Sequence, residues 1–382
     1  MNKTLVYLDN AATTYPKPQG VLNAVQRSFT VFGANAGRGG YKMALDTSNM
    51  IYDAREAVAG LFGLKDPLSV AFLQNCTLAI NTVIKGVAKQ NDHFLISSFE
   101  HNAVLRPLYA MKNKGLISYD VFNVNIKNPG KTVLDIKEKI KPETKAIVCT
   151  AASNVFGVKL PVEEIGKLAK ENGLLLIIDG AQGFGCFEMT AERTNADFLC
   201  FSGHKGLYAP MGIGGFIKNS NVFLDTLAEG GTGSNSESPK QPETFPERFE
   251  SGTLNISGIS GVAEGVSFLK KRKEKKEYEL CDYLYKELSK NKDVILYTEN
   301  FSKEGNTPVI SFNIDGLDSE TSANMFSYYN IATRGGLHCA PLAHKYMNTI
   351  DRGTVRVSLS AFTTAYDIER FLKTLKVIIK EK

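Results

Sequence analysis

The chain has 382 residues, of which 43% are hydrophobic and 22% are charged, and its net charge at pH 7 is +5. This composition is ordinary for a globular protein, no run of about 18 apolar residues offers a membrane span, and the small net charge argues against nucleic-acid binding. The chain exceeds the length at which a single core keeps growing, so we expect one large and one smaller domain.

The amino terminus and the cysteines indicate the cellular compartment of the protein. Asp9 and Asn10 interrupt the first apolar stretch too early for a signal peptide. The six cysteines are widely spaced without a C-x-x-C pair, which indicates reduced thiols, and no His, Cys and carboxylate cluster has metal-ligand spacing. We therefore expect a cytoplasmic protein without a metal site.

From about residue 17 to 250, short apolar runs alternate with amphipathic stretches, which predicts βα units around a mostly parallel sheet. The predicted strands cover residues 69–73, 93–97, 117–122, 146–150, 174–178, 198–201 and 214–217, and helices such as 76–88 and 162–171 lie between them. Residues 230–246, rich in Gly, Ser and Pro, predict a long loop. A long helix over 256–288, strands near 309–314 and 354–358, and a helix over 365–379 predict an α+β tail.

Two residues at predicted strand ends carry the strongest chemical signal. Lys205 follows the strand over 198–201, and Asp179 closes the strand over 174–178. Ligands collect at the carboxyl ends of such strands. A lysine amine beside a strand-end aspartate is what pyridoxal phosphate requires, because its aldehyde needs a Schiff-base partner and its pyridinium nitrogen needs a counter-charge. The sequence therefore points to an enzyme.

Other candidates near the predicted strand ends have plainer alternatives. Residues 75–77 (NCT) open a helix whose first amides could hold a phosphate, or they form an ordinary helix cap. His101 could stack on a planar ring, or it ends a helix or fills the core. Ser202 and His204 could donate to a phosphate, or they serve a turn.

Several motifs resemble those of the class V, fold-type I pyridoxal-phosphate enzymes, and within that group the cysteine desulfurases and selenocysteine lyases. They occur in family order over nearly the whole chain, at residues 8–14 (LDNAATT), 35–40 (NAGRGG), 100–103 (EHNA), 153–157 (SNVFG), 179–182 (DGAQ), 202–205 (SGHK), 248–253 (RFESGT), 334–339 (RGGLHC) and 356–358 (RVS). The resemblance implies an α/β fold with a mixed, mostly parallel seven-stranded sheet flanked by helices. We expect residues 16–250 to form this large domain, and residues 1–15 and 251–382 to form a smaller α+β domain.

The resemblance also implies a role for each candidate residue. Lys205 would hold the cofactor covalently, Asp179 would pair with its pyridinium nitrogen, Gln182 would contact its phenolic oxygen and His101 would stack on its ring. The remaining predicted cofactor residues are Asn154, near the ring, and the phosphate ligands Cys76, Thr77, Ser202, His204 and Thr253. Thr253 would come from a second subunit, which implies a homodimer. The predicted substrate residues are Asn35, Arg38, Arg334 and Arg356, of which Arg356 would grip the substrate carboxylate because its planar guanidinium can pair with both oxygens.

Cys339 decides the expected reaction type. Taking sulfur from the Cβ of an amino acid without releasing sulfide needs a thiolate nucleophile, and Cys339 lies on a predicted loop after Arg334 and His338, whose charges would favour a thiolate. The other five cysteines are expected to be buried and inert. The resemblance implies a cysteine desulfurase that converts L-cysteine to L-alanine and passes sulfur from a Cys339 persulfide to an acceptor protein. The short continuation after Cys339 suggests an ordered loop that the acceptor must approach.

Three alternatives stay open on the sequence alone. The chain could be a selenocysteine lyase, a β-lyase acting on another sulfur amino acid, or a partner-binding member without turnover. One departure from the family pattern bears on the cofactor, since residues 76–78 read Cys-Thr-Leu where many relatives have Thr-Thr-Glu. Whether Cys76 weakens phosphate binding, and whether the loop over 230–246 is a lid or a docking surface, is left open.

Overall fold

The computed structural model describes residues 4–37, 39–234, 236–298 and 300–382. The strands are β1 (Val6–Tyr7), β2 (Val70–Leu73), β3 (His93–Ser97), β4 (Ser118–Phe122), β5 (Thr144–Thr150), β6 (Leu175–Asp179), β7 (Phe198–Ser202), β8 (Gly214–Lys218), β9 (Val294–Leu296), β10 (Val309–Ile314), β11 (Ile331–Ala332) and β12 (Val355–Ser358). The helices are α1 (Gln19–Thr30), α2 (Lys42–Leu61), α3 (Cys76–Val87), α4 (Asn102–Asn113), α5 (Pro129–Lys139), α6 (Val162–Glu171), α7 (Ala191–Thr194), α8 (Ile256–Lys271), α9 (Lys276–Ser289), α10 (Ser319–Tyr328), α11 (Pro341–Tyr346) and α12 (Ala365–Glu381).

A seven-stranded sheet lies at the centre of the fold, in the order β2-β8-β7-β6-β5-β3-β4. Strand β8 runs antiparallel to β7 and β2, and the other neighbouring pairs are parallel. The seven strands predicted from the sequence are the seven strands of this sheet, and the predicted mixed, mostly parallel sheet is confirmed.

Each face of the sheet is covered by its own hydrophobic cluster. Successive side chains of a strand point to opposite faces. Along β5, accordingly, Ile147 belongs to one cluster and Val148 to the other, and Leu95 and Ile96 of β3 divide in the same way. Because both faces are buried, the strands read as continuous apolar runs, which made them recognisable in the sequence.

A third hydrophobic cluster holds together the carboxyl-terminal part of the chain and the residues around β1. It lies around the sheet β12-β10-β9 and the parallel pair β1-β11, and helices α9, α10 and α12 contribute to it. The predicted smaller domain, residues 1–15 and 251–382, includes this cluster, but its helices α8 and α11 pack on a cluster of the central sheet. The exact division at residues 15 and 250 stays a prediction.

The prediction of one long helix over residues 256–288 is wrong. The helix ends at Lys271, and α9 begins at Lys276. Arg272 leaves the helix with an extended backbone and forms a 2.5 Å ion pair with Glu277, while Lys275 Nζ donates to the Cys186 carbonyl at 2.6 Å. These contacts redirect the chain, so that α8 packs on α1 and α2 while α9 joins the third cluster.

The other sequence predictions of elements agree with the structure. Residues 230–234 and 236–246 form no helix or strand, as expected for a long loop. None of the described helices is both long enough and apolar enough to cross a membrane.

Candidate active site

A cavity opens at the edge of the central sheet where β2, β5, β6 and β7 end. It collects the predicted cofactor residues other than Thr253, although these are far apart in the sequence. They are Cys76, Thr77, His101, Asn154, Asp179, Gln182, Ser202, His204 and Lys205. The strand directions explain this convergence, because loops that follow parallel strands meet at one edge of a sheet.

Lys205 and Asp179 supply an amine and a carboxylate to this cavity. Burial lowers the pKa of Lys205, and the charge of Asp179 opposes that shift. The Asp179 carboxylate is held in place, since its Oδ1 accepts a hydrogen bond from the Ala181 amide at 2.9 Å. A lowered pKa raises the fraction of neutral, nucleophilic amine at neutral pH.

Cys76 does not simply replace a phosphate-binding hydroxyl. Its Sγ lies 3.6 Å from Asp179 Oδ1, and burial raises the pKa of the thiol well above its ordinary value. The thiol therefore stays protonated and donates to the carboxylate. The sequence suggested a contact of Cys76 with the cofactor, and the structure brings its side chain to Asp179.

The amino terminus of α3 and the His204 ring provide donors at another side of the cavity. Asn75 caps α3 by accepting from the Leu78 amide at 2.8 Å, which leaves the Cys76 and Thr77 amides as first-turn donors without an intrahelical acceptor. His204 Nδ1 is buried and has no hydrogen-bond partner within the described part of the chain. Burial and the nearby Lys205 lower the His204 pKa to about 4.

His101 caps α4, which was one of the interpretations open in the sequence, and it also lines the cavity. Its stacking on a cofactor ring stays a prediction. Its Nδ1 accepts from the Ala103 amide at 3.0 Å, which places the proton of the neutral ring on Nε2. Burial lowers the pKa of His101 and favours this neutral form.

The neighbouring Glu100 was quoted in a motif but given no role. Its side chain is completely buried, and its Oε1 accepts from the Thr150 amide at 2.8 Å and from the Ser97 hydroxyl. Burial raises its pKa to about 8.

Residues 8–17, which we call the N-terminal strap, tie the cavity wall together. The Ala11 carbonyl accepts from Gln182 Nε2 at 2.8 Å. The carbonyl of His204, directly before Lys205, accepts from the hydroxyls of Thr13 and Thr14 at 3.2 and 3.1 Å and from Lys17 Nζ at 2.9 Å. The strap thus fixes the turn that carries Lys205.

Arg356, the predicted carboxylate-binding residue, is only 1% exposed and does not line the cavity. Its Nη2 pairs with Asp9 Oδ1 at 2.5 Å and its Nη1 donates to the Asn154 carbonyl at 2.9 Å. Burial lowers the pKa of Arg356, and Asp9 opposes that shift. Asp9 was not singled out from the sequence, although a charged residue directly after an apolar run was a usable signal.

Cys339 is exposed, and the backbone on both sides of it is bound to the cavity wall. Asn154 Nδ2 donates to the His338 carbonyl at 2.7 Å, and the amide of Asn102, next to His101, donates to the Cys339 carbonyl at 2.8 Å. The expectation of an ordered loop agrees with these contacts. The other cysteines are buried, apart from Cys186, which is half-buried.

The expected positive charge of His338 is absent. Its Nε2 lies 3.1 Å from the Arg334 carbonyl, and burial together with the charge of Arg356 lowers its pKa to about 2. The ring is therefore neutral at neutral pH and cannot favour a Cys339 thiolate by its charge. The backbone of Arg334 pairs with that of Arg356, with N···O distances of 3.3 and 2.8 Å.

Three further predicted residues lie elsewhere in the chain or outside the description. Thr253 is exposed, and Asn35 lines a different cavity beside Arg55 and Glu250. Arg38 lies outside the described residues. Within the described part of the chain, no group of three or more His, Cys, Asp and Glu side chains could hold a metal ion.

Comparison of the sequence with known proteins identifies the family of the chain. The family model for class V aminotransferases matches residues 6–371. The chain belongs to this family. A probable cysteine desulfurase of Methanothermobacter thermautotrophicus is 31% identical over 387 residues, which cover 98% of this chain and 94% of that protein. A probable cysteine desulfurase of Pyrococcus abyssi is also 31% identical, over 100% of this chain and 96% of that protein.

A solved cysteine desulfurase structure agrees with the fold. The structure of a cysteine desulfurase from Thermococcus onnurineus NA1 superposes with a TM-score of 0.88 and is 28% identical, over 99% of this chain and 95% of that chain. The resemblance to the cysteine desulfurase group of the class V family, inferred from the motifs, is thereby confirmed. This family implies pyridoxal phosphate as its cofactor.

Proposed function

We propose that this class V protein is a pyridoxal-phosphate-dependent cysteine desulfurase, which converts L-cysteine to L-alanine and carries the sulfur as a persulfide on Cys339. One observation carries the proposal. Cys339 is exposed, and its backbone is bound to the cavity wall on both sides. Asn154 of the wall donates to the carbonyl of His338, directly before Cys339, and the amide of Asn102, the neighbour of His101, donates to the Cys339 carbonyl. A thiol in this position can meet a substrate held beside Lys205.

The cavity fits pyridoxal phosphate. Lys205 would hold its aldehyde carbon, Asp179 its pyridinium nitrogen, and the α3 amino terminus with Thr77, Ser202 and His204 its phosphate. The buried and unpaired His204 Nδ1 supports this fit, because a buried polar atom without a partner is costly and a phosphate oxygen would satisfy it. When bound, the cofactor acidifies the substrate Cα–H and stores the released electrons.

The residues of the chain would bind the substrate and move its protons. The neutral amine of Lys205, favoured by burial, can accept the α-proton and return it later. His101 carries its proton on Nε2 and can donate it within the cavity. Arg356 does not line the cavity in this structure, so pairing with the substrate carboxylate would require its guanidinium to move away from Asp9 and toward the substrate.

Cys339 would perform the sulfur transfer. Its thiolate attacks the substrate sulfur, an S–S bond forms, and the Cβ–S bond breaks with its electron pair remaining on the carbon skeleton. Protonation of that carbon gives L-alanine, so that cysteine and the enzyme thiol become alanine and an enzyme persulfide without an added oxidant. Because the Cys339 backbone is bound on both sides, an acceptor thiol comes to the loop and takes the outer sulfur.

We propose that the enzyme works as a homodimer in the cytoplasm. Thr253 is exposed on a segment that Glu250 anchors to Arg55 of α2 through a buried ion pair of 2.5 Å, and it would reach the phosphate of a second subunit. Helices α1 and α2 also expose apolar side chains that a partner would cover, namely Leu22, Phe29, Met43, Leu45 and Tyr52. The six unpaired cysteines agree with a reducing compartment.

Intact-mass spectrometry after incubation with L-cysteine tests the proposed function. We expect one added sulfur on Cys339 and one L-alanine per turnover, and Cys339→Ser should bind L-cysteine but form neither product. Free sulfide without a labelled Cys339 would indicate a β-lyase instead. Turnover of L-selenocysteine but not of L-cysteine would indicate a selenocysteine lyase.

A further inference from the structure

Two buried histidine rings stack on each other, and one of them belongs to the residue directly before Cys339. The rings of His338 and His344 are nearly parallel, with centroids 5.8 Å apart and planes at 13°. His344 belongs to α11 and is completely buried, and its ring also contacts Phe156, with centroids 5.7 Å apart. The His344 ring therefore lies between the Cys339 loop and the core beside the central sheet.

The backbone at Cys339 needs such support. His338 and Cys339 both have left-handed conformations, with φ values of 50° and 58°. A left-handed residue other than glycine costs about 1 kcal/mol or more, and it persists only where neighbouring contacts enforce it. The two carbonyl hydrogen bonds from Asn154 and Asn102 fix the main chain of this turn. The His338 side chain is held by the contact of its Nε2 with the Arg334 carbonyl and by the His344 ring.

A hydrogen bond fixes the orientation of the supporting ring. His344 Nδ1 lies 2.8 Å from Thr349 Oγ1, and that hydroxyl also lies 3.4 Å from the His344 carbonyl, to which it donates. This contact fixes the orientation of the ring, whichever of the two groups donates. Burial keeps both histidines neutral by lowering the pKa of His338 to about 2 and that of His344 to about 4, so the rings stack without charge repulsion.

We propose that His344 is a positioning residue for Cys339. Its ring, oriented by Thr349, supports His338, and this support keeps the left-handed turn in the form that directs the Cys339 thiol toward the cavity. The inference rests on the proposed sulfur transfer to Cys339. His344 itself does not line the cavity beside Lys205, so it should affect the transfer step and not cofactor or substrate binding.

Single-turnover kinetics on the cofactor-loaded enzyme test this role with three variants. His344→Ala removes the ring, His344→Phe keeps a ring that can still support His338, and Lys345→Ala changes an exposed neighbour on the same helix. Two quantities are measured: the rate of persulfide formation on Cys339, and the L-cysteine affinity from the change in cofactor absorbance. We expect His344→Ala to slow persulfide formation at least tenfold with the affinity within twofold of the parent. His344→Phe should stay within threefold, and Lys345→Ala should match the parent.

Two results would overturn the proposal. A parent rate in His344→Ala would show that the ring does not position Cys339, and an equal loss of L-cysteine affinity would show a general structural role. If His344→Ala fails to fold, Thr349→Val is the second test. Loss of the Thr349 hydroxyl leaves the His344 ring free to tilt, which should slow persulfide formation about threefold. A parent rate in this variant would contradict the proposal. Absence of a persulfide in the parent enzyme would count against the proposed function and not against this inference alone.

Discussion

Glu100 holds its carboxyl group in the interior, without exposure to bulk solvent. One oxygen accepts from Thr150 and Ser97, while Oε2 has no partner among the described residues. Burial raises its pKa to about 8, and the nearby Asp179 adds to this effect. Glu100 is thus mostly protonated at neutral pH, which leaves Asp179 as the negative charge beside Lys205.

The stability of Glu100→Gln relative to the parent protein should increase as the pH rises. The folded pKa lies above the unfolded value, so folding binds a proton between pH 4.5 and about 8, and the stability of the parent falls as the pH rises through this range. Gln cannot ionise and can keep both accepted hydrogen bonds. Between pH 5 and 8, we expect the difference in free energy of unfolding between variant and parent to grow in favour of the variant, by at most about 5 kcal/mol.

Urea denaturation at pH 5, 6.5 and 8 measures this difference. Glu171→Gln changes an exposed carboxyl on α6 and should leave the pH dependence of the parent unchanged. A constant difference between Glu100→Gln and the parent at all three pH values would show that Glu100 does not titrate in this range.

Single residues show what the sequence could and could not predict. Lys205 and Asp179 were recognisable because each lies at the end of an apolar strand. The ion pair of Asp9 with Arg356 was not, since the two residues are 347 positions apart and only the packing of β1 near β12 joins them. The neutral state of His338 likewise depends on burial, which a local pattern does not report.

Among the elements, the N-terminal strap joins the two ends of the chain to the active site. It binds the His204 carbonyl through Thr13, Thr14 and Lys17, and it binds Arg356 through Asp9. The strap has almost no regular secondary structure, so its hydrogen bonds with the site are what fix its position. We infer that it sets the conformation of the turn before Lys205.

Lys17→Met should weaken cofactor retention. Lys17 donates to both the His204 carbonyl and Thr14 Oγ1, and a hydrogen bond from a charged donor contributes about 1.5–3 kcal/mol. We expect the dissociation constant of pyridoxal phosphate to rise about tenfold, measured by equilibrium dialysis. Lys42→Met, at an exposed lysine that starts α2, is the matched control and should bind as the parent does. Equal retention in both variants would contradict the role of the strap.

The elements also show where sequence patterns reach their limit. The strands of the central sheet were predicted within two residues of their observed ends, because they are continuous apolar runs between turn residues. The break between α8 and α9 was missed, since Arg272, Lys273 and Lys275 are all acceptable in a helix. Only their contacts with Glu277 and Cys186, made after folding, end one helix and begin the next.

For the whole molecule, the exposed apolar side chains of α1 and α2 support the proposed homodimer. Phe29 is 72% exposed, and Leu45 and Tyr52 of α2 are about half exposed. Helix α2 also carries Arg55, which anchors Glu250 in the segment of Thr253. The same surface would therefore form the dimer and deliver Thr253 to the second active site.

The double variant Phe29→Asp, Leu45→Asp should be a monomer with reduced cofactor affinity. Two carboxylates cannot be buried in an apolar interface without a large desolvation cost. Sedimentation velocity should show half the parent mass, and dialysis should show weaker pyridoxal-phosphate binding. Tyr328→Asp, at a highly exposed residue of α10, should remain dimeric and bind the cofactor normally. A monomer with full cofactor affinity would rule out a contribution of Thr253 across the interface.

The contrast between Cys339 and the other five cysteines has a practical consequence. A thiol that must meet an acceptor is equally open to peroxide, while burial protects Cys76, Cys149, Cys200 and Cys281, and burial raises the pKa of Cys186 to about 11. Oxidative damage should therefore begin at Cys339, the proposed sulfur carrier, and stop turnover before the fold is harmed. For the same reason, a limiting amount of an alkylating reagent should modify Cys339 first. The amount of reagent that abolishes turnover should then equal the number of active sites in a preparation.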